Sequence, residues 1–396
     1  MPELDYDPRS PAVLRDPYPY YRRLRDEAPV FHIDDGDKDF YVVSRFADIY
    51  GAARTPEVFS SASGLTFEDD EIAKLGIPPT IVMMDAPQHT AFRRLISKGF
   101  TPRQVLRLED GIRAFVVDRV ERLRRGEATD LIETLAGPTP THVLAMLMDI
   151  PEADQPRFDQ WSNSIVTANA EGTGVIEKAA EAIGGMFEYF STLLPQRRDN
   201  PGEDLLSTLT HAEVDGQRLT DFEIVGFCFV MVAGGNDTST GLIGGAMELL
   251  QRYPDQQALL RADRELMGGA IEEFLRLTTP VQGLCRTTMS EVDIAGTTIA
   301  EGKKVMLLYG SGNRDEREFG ESADALDVRR EVPRQLAFSS GPHFCLGASV
   351  ARMQGSIALT ELLDRIPRFE IDLEGAELAP GHFVRRYAKL PFRALA

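Results

Sequence analysis

The 396-residue sequence predicts a mainly α fold with a small β region. Three observations carry that prediction. Long amphipathic stretches dominate the chain, one of about thirty residues is apolar nearly all round, and β-type runs are short. Length alone allows two domains, but no Ser/Gly linker, repeat or low-complexity tract interrupts the chain, so one large domain over 1–396 fits at least as well.

In chain order, Val30-Phe-His-Ile33 and Phe40-Tyr-Val-Val43 gather apolar and β-branched residues between polar turns and read as strands. Amphipathic helical patterns follow over Thr101–Arg125 and Gly174–Arg198. The next runs from Thr220 to Tyr253. Thr220-Asp-Phe-Glu223 is a capping box at its start and Pro254 is its stop. Its apolar character from Phe222 to Leu250 predicts a core helix, not a surface one. Another helix is expected over Asp263–Leu277. Glu291–Ile299 alternates and turns at Glu301-Gly302 into Lys304–Leu308, which reads as paired strands. An apolar helical pattern covers Ala348–Leu363, and Phe383–Phe392 is an extended segment ended by Pro391.

The bulk properties exclude several classes. A formal charge of −19 makes nucleic acid a poor partner. Cys228, Cys285 and Cys345 lie far apart without a C-x-x-C, which argues against zinc and against a disulfide framework and suits a reducing cytoplasm. Residues Met1 to Val30 are polar and proline-dotted, and no stretch reaches the roughly 18 apolar residues of a membrane span. A cytoplasmic protein without a membrane anchor is expected.

The densest chemistry lies in Phe338-Ser-Ser-Gly341-Pro-His343-Phe-Cys345-Leu-Gly347. One cysteine stands in a glycine-bounded loop directly before a helix. A thiolate there faces the positive helix end, which is expected to lower its pKa and make it a ligand. Gly341 permits a turn that a Cβ resists, Gly347 allows a close approach to something bulky, and Phe338 is placed to shield the sulfur. In the long helix, Ala233-Gly-Gly-Asn-Asp237-Thr238 interrupts the apolar run. Each glycine costs about 1 kcal/mol relative to Ala in a helix interior. Such a cost is accepted where something packs on the backbone or the helix opens locally, and an acid beside a hydroxyl is expensive in an apolar wall.

The cysteine loop resembles the haem-binding loop of the cytochrome P450 family, F-x-x-G-x-H/R-x-C-x-G, and Gly234-Gly-Asn-Asp237-Thr238 resembles its distal motif. The likeness runs from Asp16-Pro-Tyr-Pro-Tyr-Tyr21 to Leu390-Pro-Phe-Arg393. It implies the P450 fold, with haem b (iron protoporphyrin IX) between the long central helix and the cysteine loop and its helix. Cys345 is then the proximal iron ligand, while Asp237 and Thr238 serve proton delivery. His89 and Arg93, four apart on one helix face, with Arg286 and His343, match the family's propionate contacts. Phe338 and Gly347 complete the haem loop. Glu273 and Arg276, an E-x-x-R pair, and Arg330 match the architecture that holds it.

The resemblance further implies a monooxygenase that inserts one oxygen atom from O2 into a hydrophobic small molecule, by hydroxylation or epoxidation. Electrons come from ferredoxin and ferredoxin reductase. The expected substrate lining is Ile81 to Met84, with Met83, then Val230, Ala233 and Gly234, then Val281 and Gln282, then His382 and Phe383. Arg94, Lys98 and Arg352 form a candidate basic patch for an acidic ferredoxin. The alternatives are a peroxide-driven haem-thiolate peroxygenase or isomerase and a non-catalytic haem-thiolate binder or sensor. Cys228 reads as core, and Cys285 as a neighbour of the haem edge.

Overall fold

The computed structural model describes residues 4–395 apart from 37, 69–78, 128, 171–174 and 215. Its axis is the helix Asp221–Arg252, here the central helix. Thr220 Oγ1 accepts from Glu223 N while Glu223 Oε2 accepts from Thr220 N at 2.8 Å, closing the capping box that the sequence predicts. Burial on every side, from Ile224 and Val225 to Met247 and Leu250, explains the missing polar face. Around it pack Pro138–Leu147, Gln155–Ala170, Val175–Asp199, Met267–Thr278 and the cysteine helix Ala348–Arg365. Each fully buried Leu or Ile in this cluster contributes roughly 1.5–3 kcal/mol. Close approach has a local cause at Gly245, where a Cβ would lie 2.6 Å from Thr278 Cγ2.

The helix expected over Thr101–Arg125 is two helices, Pro102–Leu106 and Glu109–Arg124. The segment carries two start signals, Thr101 as side-chain cap and Glu109-Asp110 as an acidic first turn, and each starts its own helix. Over Asp263–Leu277, a short 3₁₀ turn at Arg264–Leu266 precedes the α-helix Met267–Thr278.

A five-stranded sheet flanks the helices in the order Val30–Asp34, Asp39–Val43, Lys304–Leu307, Leu284–Thr288, Phe59–Ser60. Asp39–Val43 and Lys304–Leu307 run parallel, and the other neighbours are antiparallel. This corrects the expected pairing of Glu291–Ile299 with Lys304–Leu308. Val292–Ile294 closes on Thr297–Ile299 through Ala295 (φ 49°) and Gly296 (φ 80°), forming its own hairpin. Lys304–Leu307 is buried along its whole length, as a strand with neighbours on both edges must be, whereas the hairpin strands expose residues to solvent.

The C-terminal segment also differs from expectation. Val384 bridges Val281, Tyr387–Lys389 pairs with Glu377–Leu378, and Phe392–Leu395 pairs with Arg368–Ile371. Pro391 therefore separates two strands instead of ending one, because it has no N–H to donate to a ladder. Among the described residues no helix is long and apolar enough to cross a membrane.

Candidate haem-thiolate site

The cysteine loop is shaped by its backbone. Ser339 and Gly341 take φ of 59° and 70°, and a Cβ on Gly341 would lie 2.6 Å from Ala53 O. Only glycine fits both the conformation and the space. Cys345 N donates to Phe338 O at 3.0 Å, folding the loop so that Cys345 keeps accessible surface while protein walls it in closely. The N–H groups of Gly347 and Ala348 and the charges of Arg93 and Arg352 favour the thiolate, but burial among the surrounding protein outweighs them. The Cys345 thiol is therefore pushed above its usual value, contrary to the lowering expected from the helix end alone. Binding to a metal would displace the proton directly.

Phe338 is buried beside the loop, edge-on to Phe344 at 6.1 Å, and Arg352 lies 4.6 Å over its ring. Arg352 is also ion-paired with Glu272, at 3.0 Å for its second contact. Its charge is thus largely spent within the protein, and the candidate basic patch reduces to Arg94 and Lys98. Arg94 is exposed, and Lys98 Nζ donates to Glu213 O at 2.9 Å.

Two histidines and two arginines far apart in sequence meet at one place. The His89 and His343 rings lie 4.2 Å apart, and Arg93 donates to Phe344 O at 2.6 Å. Arg286 is buried near enough to His343 to disfavour its charging. Burial first, then Arg286, His89 and Arg93, lower the His343 pKa to about 3, with Asp85 opposing. Burial and Arg93 likewise lower that of His89. Among the described residues His89 Nε2 is buried without a hydrogen-bond partner. A buried ring nitrogen able to donate, beside the charges of Arg93 and Arg286, fits an anionic group such as the propionates of haem b.

On the central helix, Gly226, Val230, Gly234 and Thr238 recur every fourth residue and so share a face. Val230, Ala233 and Thr238 are partly exposed and Gly234 is exposed, although half of the helix's residues are buried. A Cβ on Gly234 would meet nothing within 4 Å. The helix stays α-helical through the glycines, so they do not open it, and Gly234 leaves room beside it. Thr238 Oγ1 donates to Gly234 O at 2.8 Å, which leaves its lone pairs as acceptors. Asp237, one residue away, is buried and ion-paired with Arg386. Sequence reasoning missed Arg386, since nothing in Val384-Arg-Arg-Tyr387 signals a partner on a helix 149 residues earlier.

The remaining lining residues divide. Ile81 joins Phe92, Ile183, Phe187, Phe222, Phe227 and Phe229 around an aromatic pocket that also touches Gly226. Met83 is partly exposed at the end of the short turn Ile81–Met83. Val281 packs against the sheet-side cluster, and Phe383 stacks obliquely on Phe67 at 4.8 Å. Gln282 is committed elsewhere: it accepts from Tyr21 Oη at 2.8 Å and donates to Thr279 O at 2.6 Å. His382 is half-buried, and its Nδ1 has no partner. Cys285 is fully buried in the sheet, where Met306 is its register partner, and Cys228 is fully buried in the main core.

Behind the loop, Glu273 and Arg276 are both fully buried and joined by two hydrogen bonds of 2.7 and 2.8 Å. Arg330 adds a third at 3.1 Å to Glu273, and Arg276 reaches the carbonyls of Asn313 and Ala323. This network ties Met267–Thr278 to the segment leading into the cysteine loop, as its sequence pattern predicts.

Fold and site together define a haem-thiolate protein. The Cytochrome P450 family model matches residues 173–378, a span that contains the central helix and Cys345. Over 384 residues the chain is 48% identical to Cytochrome P450 130 of Mycobacterium tuberculosis, covering 95% of each. Cytochrome P450 CYP109Q5 from Chondromyces apiculatus superposes with a TM-score of 0.89 at 32% identity, over 99% of each chain. Mycobacterium marinum cytochrome P450 CYP268A2, in complex with pseudoionone, does so with a TM-score of 0.87 at 33% identity, over 98% of this chain and 99% of that one. The chain belongs to the cytochrome P450 family. It is a monooxygenase of that family, and its cofactor is haem b.

Proposed function

We propose that this monooxygenase hydroxylates or epoxidises an uncharged hydrophobic molecule, with electrons from a ferredoxin and its ferredoxin reductase. The observation that carries the reading is the accessible stripe Val230–Gly234–Thr238 on the central helix, whose face continues through Gly226 to a pocket of phenylalanines. Among the described residues that pocket is lined by one acid, Glu223, and by no Lys or Arg, so a carboxylate would find no partner there. Pseudoionone, the ligand of the Mycobacterium marinum relative, is a molecule of this uncharged kind.

Bound haem supplies oxygen activation, with the thiolate pushing electron density toward O–O cleavage. The chain's own part is positional. His89, Arg93, Arg286 and His343 hold the propionates, Cys345 holds the iron, and Phe338 covers the ligand from water. Val230, Ala233 and Gly234 give the substrate an apolar wall, with Met83, Val281 and Phe383 nearer its edges. Thr238 presents acceptor lone pairs, and Asp237 carries protons. Arg94 and Lys98 offer an acidic ferredoxin its docking charge, which predicts a salt-sensitive reduction rate. Cys228 and Cys285, buried and in no disulfide among the described residues, support a cytoplasmic setting.

A spin-state screen tests the substrate class. Uncharged apolar ligands should shift the haem spectrum, whereas fatty acids should bind at least about tenfold more weakly than their methyl esters. Equal or tighter binding of the acids would refute it.

A further inference from the structure

The accessible stripe on the central helix does not stop at Val230. Gly226 stands four residues earlier and Phe222 four before that, so the face Phe222–Gly226–Val230–Gly234–Thr238 is at least partly exposed at every step. Gly226 and Gly234 are alike in one respect: a Cβ on either would meet nothing within 4 Å. Between these two glycines the helix rises about 12 Å.

At Gly226 the stripe meets a cavity of about 60 Å³. Its walls come from three helices: Phe92 on Gln88–Ile96, Ile183 and Phe187 on Val175–Asp199, and Phe222 and Phe227 on the central helix. Phe187 lies 5.3 Å from Phe222 and Phe92 lies 6.5 Å from Phe227, centroid to centroid. Phe222 is 44% exposed, so the outer wall borders solvent. A single water needs about 10–15 Å³ of such space, so the cavity takes roughly four to six groups of that size. That suits the end of an aliphatic or prenyl chain and is too small for a fused ring system. Its polar residues are Thr80 and Glu223, and Glu223 is spent on the helix start. Its Oε2 accepts from both Thr220 N and Thr220 Oγ1 at 2.8 Å. A charged chain end would be desolvated there without a counter-ion.

We propose that this cavity is a terminal subsite that measures the substrate's length. It takes the apolar end of an elongated chain while the carbon to be oxidised lies beside Gly234. An extended chain advances about 1.2 Å per bond, so about ten bonds separate the two points. The substrate is thus an uncharged aliphatic or isoprenoid chain of at least about eleven atoms, oxidised far from its apolar end. No bond forms or breaks in the cavity; filling it decides which carbon stops at Gly234. The inference rests on the apolar-substrate reading given above and adds length and direction to it.

Straight-chain methyl ketones of about eight to sixteen carbons, titrated into the haem-loaded full chain, test the subsite by calorimetry and by the spin-state spectrum. Affinity should rise about fourfold per added methylene and level off once the chain fills the cavity, with one ligand bound per protein. Gly226→Leu puts a side chain of good helix propensity at the cavity mouth. It should weaken the longest ketones at least about tenfold relative to the shortest. Phe187→Ala opens the wall and should move the levelling-off to chains longer by about two carbons or more. A length dependence that ignores both variants overturns the subsite, as does a second ligand bound per protein. Absence of a spin-state shift with every ketone would refute the functional reading itself, whereas a shift without length dependence refutes the subsite alone. If Gly226→Leu does not accumulate, Phe187→Ala carries the comparison.

Discussion

On the cysteine side of the site, one unbroken segment from Phe338 to Gly347 supplies ligand, turn, shield and helix start. Fully buried Glu273 and Arg276, joined by the partly buried Arg330, hold it from behind. On the central-helix side, the functional face is a stripe of every fourth residue, and its acid is partnered by an arginine from the far end of the chain. The first wall is rigid and over-determined. The second is smooth, partly open and dependent on long-range contacts. The difference suits their tasks, because iron ligation tolerates little movement while a substrate needs room.

If that contrast is right, the largest effect belongs to the cysteine side. Cys345→Ser should remove the thiolate absorption band and reduce turnover below detection while leaving the helical circular-dichroism signal in place. Next comes the buried network. Arg276→Met removes the two Arg276 hydrogen bonds to the fully buried Glu273 and leaves its charge to Arg330 alone, at a cost of about 3–5 kcal/mol. Thermal unfolding should register it as the largest stability loss of the series, together with reduced haem content.

The cluster proposed to hold the propionates should matter less. His89→Ala or Arg93→Ala removes one charge-assisted hydrogen bond worth about 1.5–3 kcal/mol, so the haem dissociation rate should rise roughly 10- to 100-fold. No change in that rate would show that the cluster serves the fold alone. The smallest stability effects should come from the central helix, and they should differ in sign along it. Gly245→Ala drives a Cβ against Thr278 and should cost about 1–3 kcal/mol. Gly234→Ala meets nothing within 4 Å and should gain up to about 1 kcal/mol from helix propensity. Gly234→Val should leave folding intact yet shrink the substrate-induced spin shift. Denaturant unfolding of the two alanine variants breaks or sharpens the distinction between a packing glycine and a site glycine.

Legibility in the sequence follows the same division. The cysteine loop is local, so its sequence is enough to single out Cys345 and Phe338 as candidates and to place a turn at Gly341. The capping box at Thr220 and the stop at Pro254 likewise bounded the central helix to within a residue. What stayed hidden depends on distance through space. Strand partners were misassigned because Lys304–Leu307 pairs with a strand more than 250 residues earlier, and alternation within a segment says nothing of its partner. Arg352 read as free charge because Glu272 lies 80 residues away. The expected fall in the Cys345 pKa considered the helix end but not the burial that outweighs it.

Cys345 is proposed as the thiolate ligand of haem b, with Val230, Gly234 and Thr238 lining the opposite wall of the site. The reduced, carbon monoxide-bound absorption spectrum of the unsubstituted chain beside Cys345→Ser and Gly234→Val tests it most directly. The account predicts the thiolate-shifted band in the first and its loss in Cys345→Ser. In Gly234→Val the band should be retained, with slowed carbon monoxide binding. A thiolate band that survives in Cys345→Ser, or carbon monoxide binding indifferent to Gly234→Val, would contradict it.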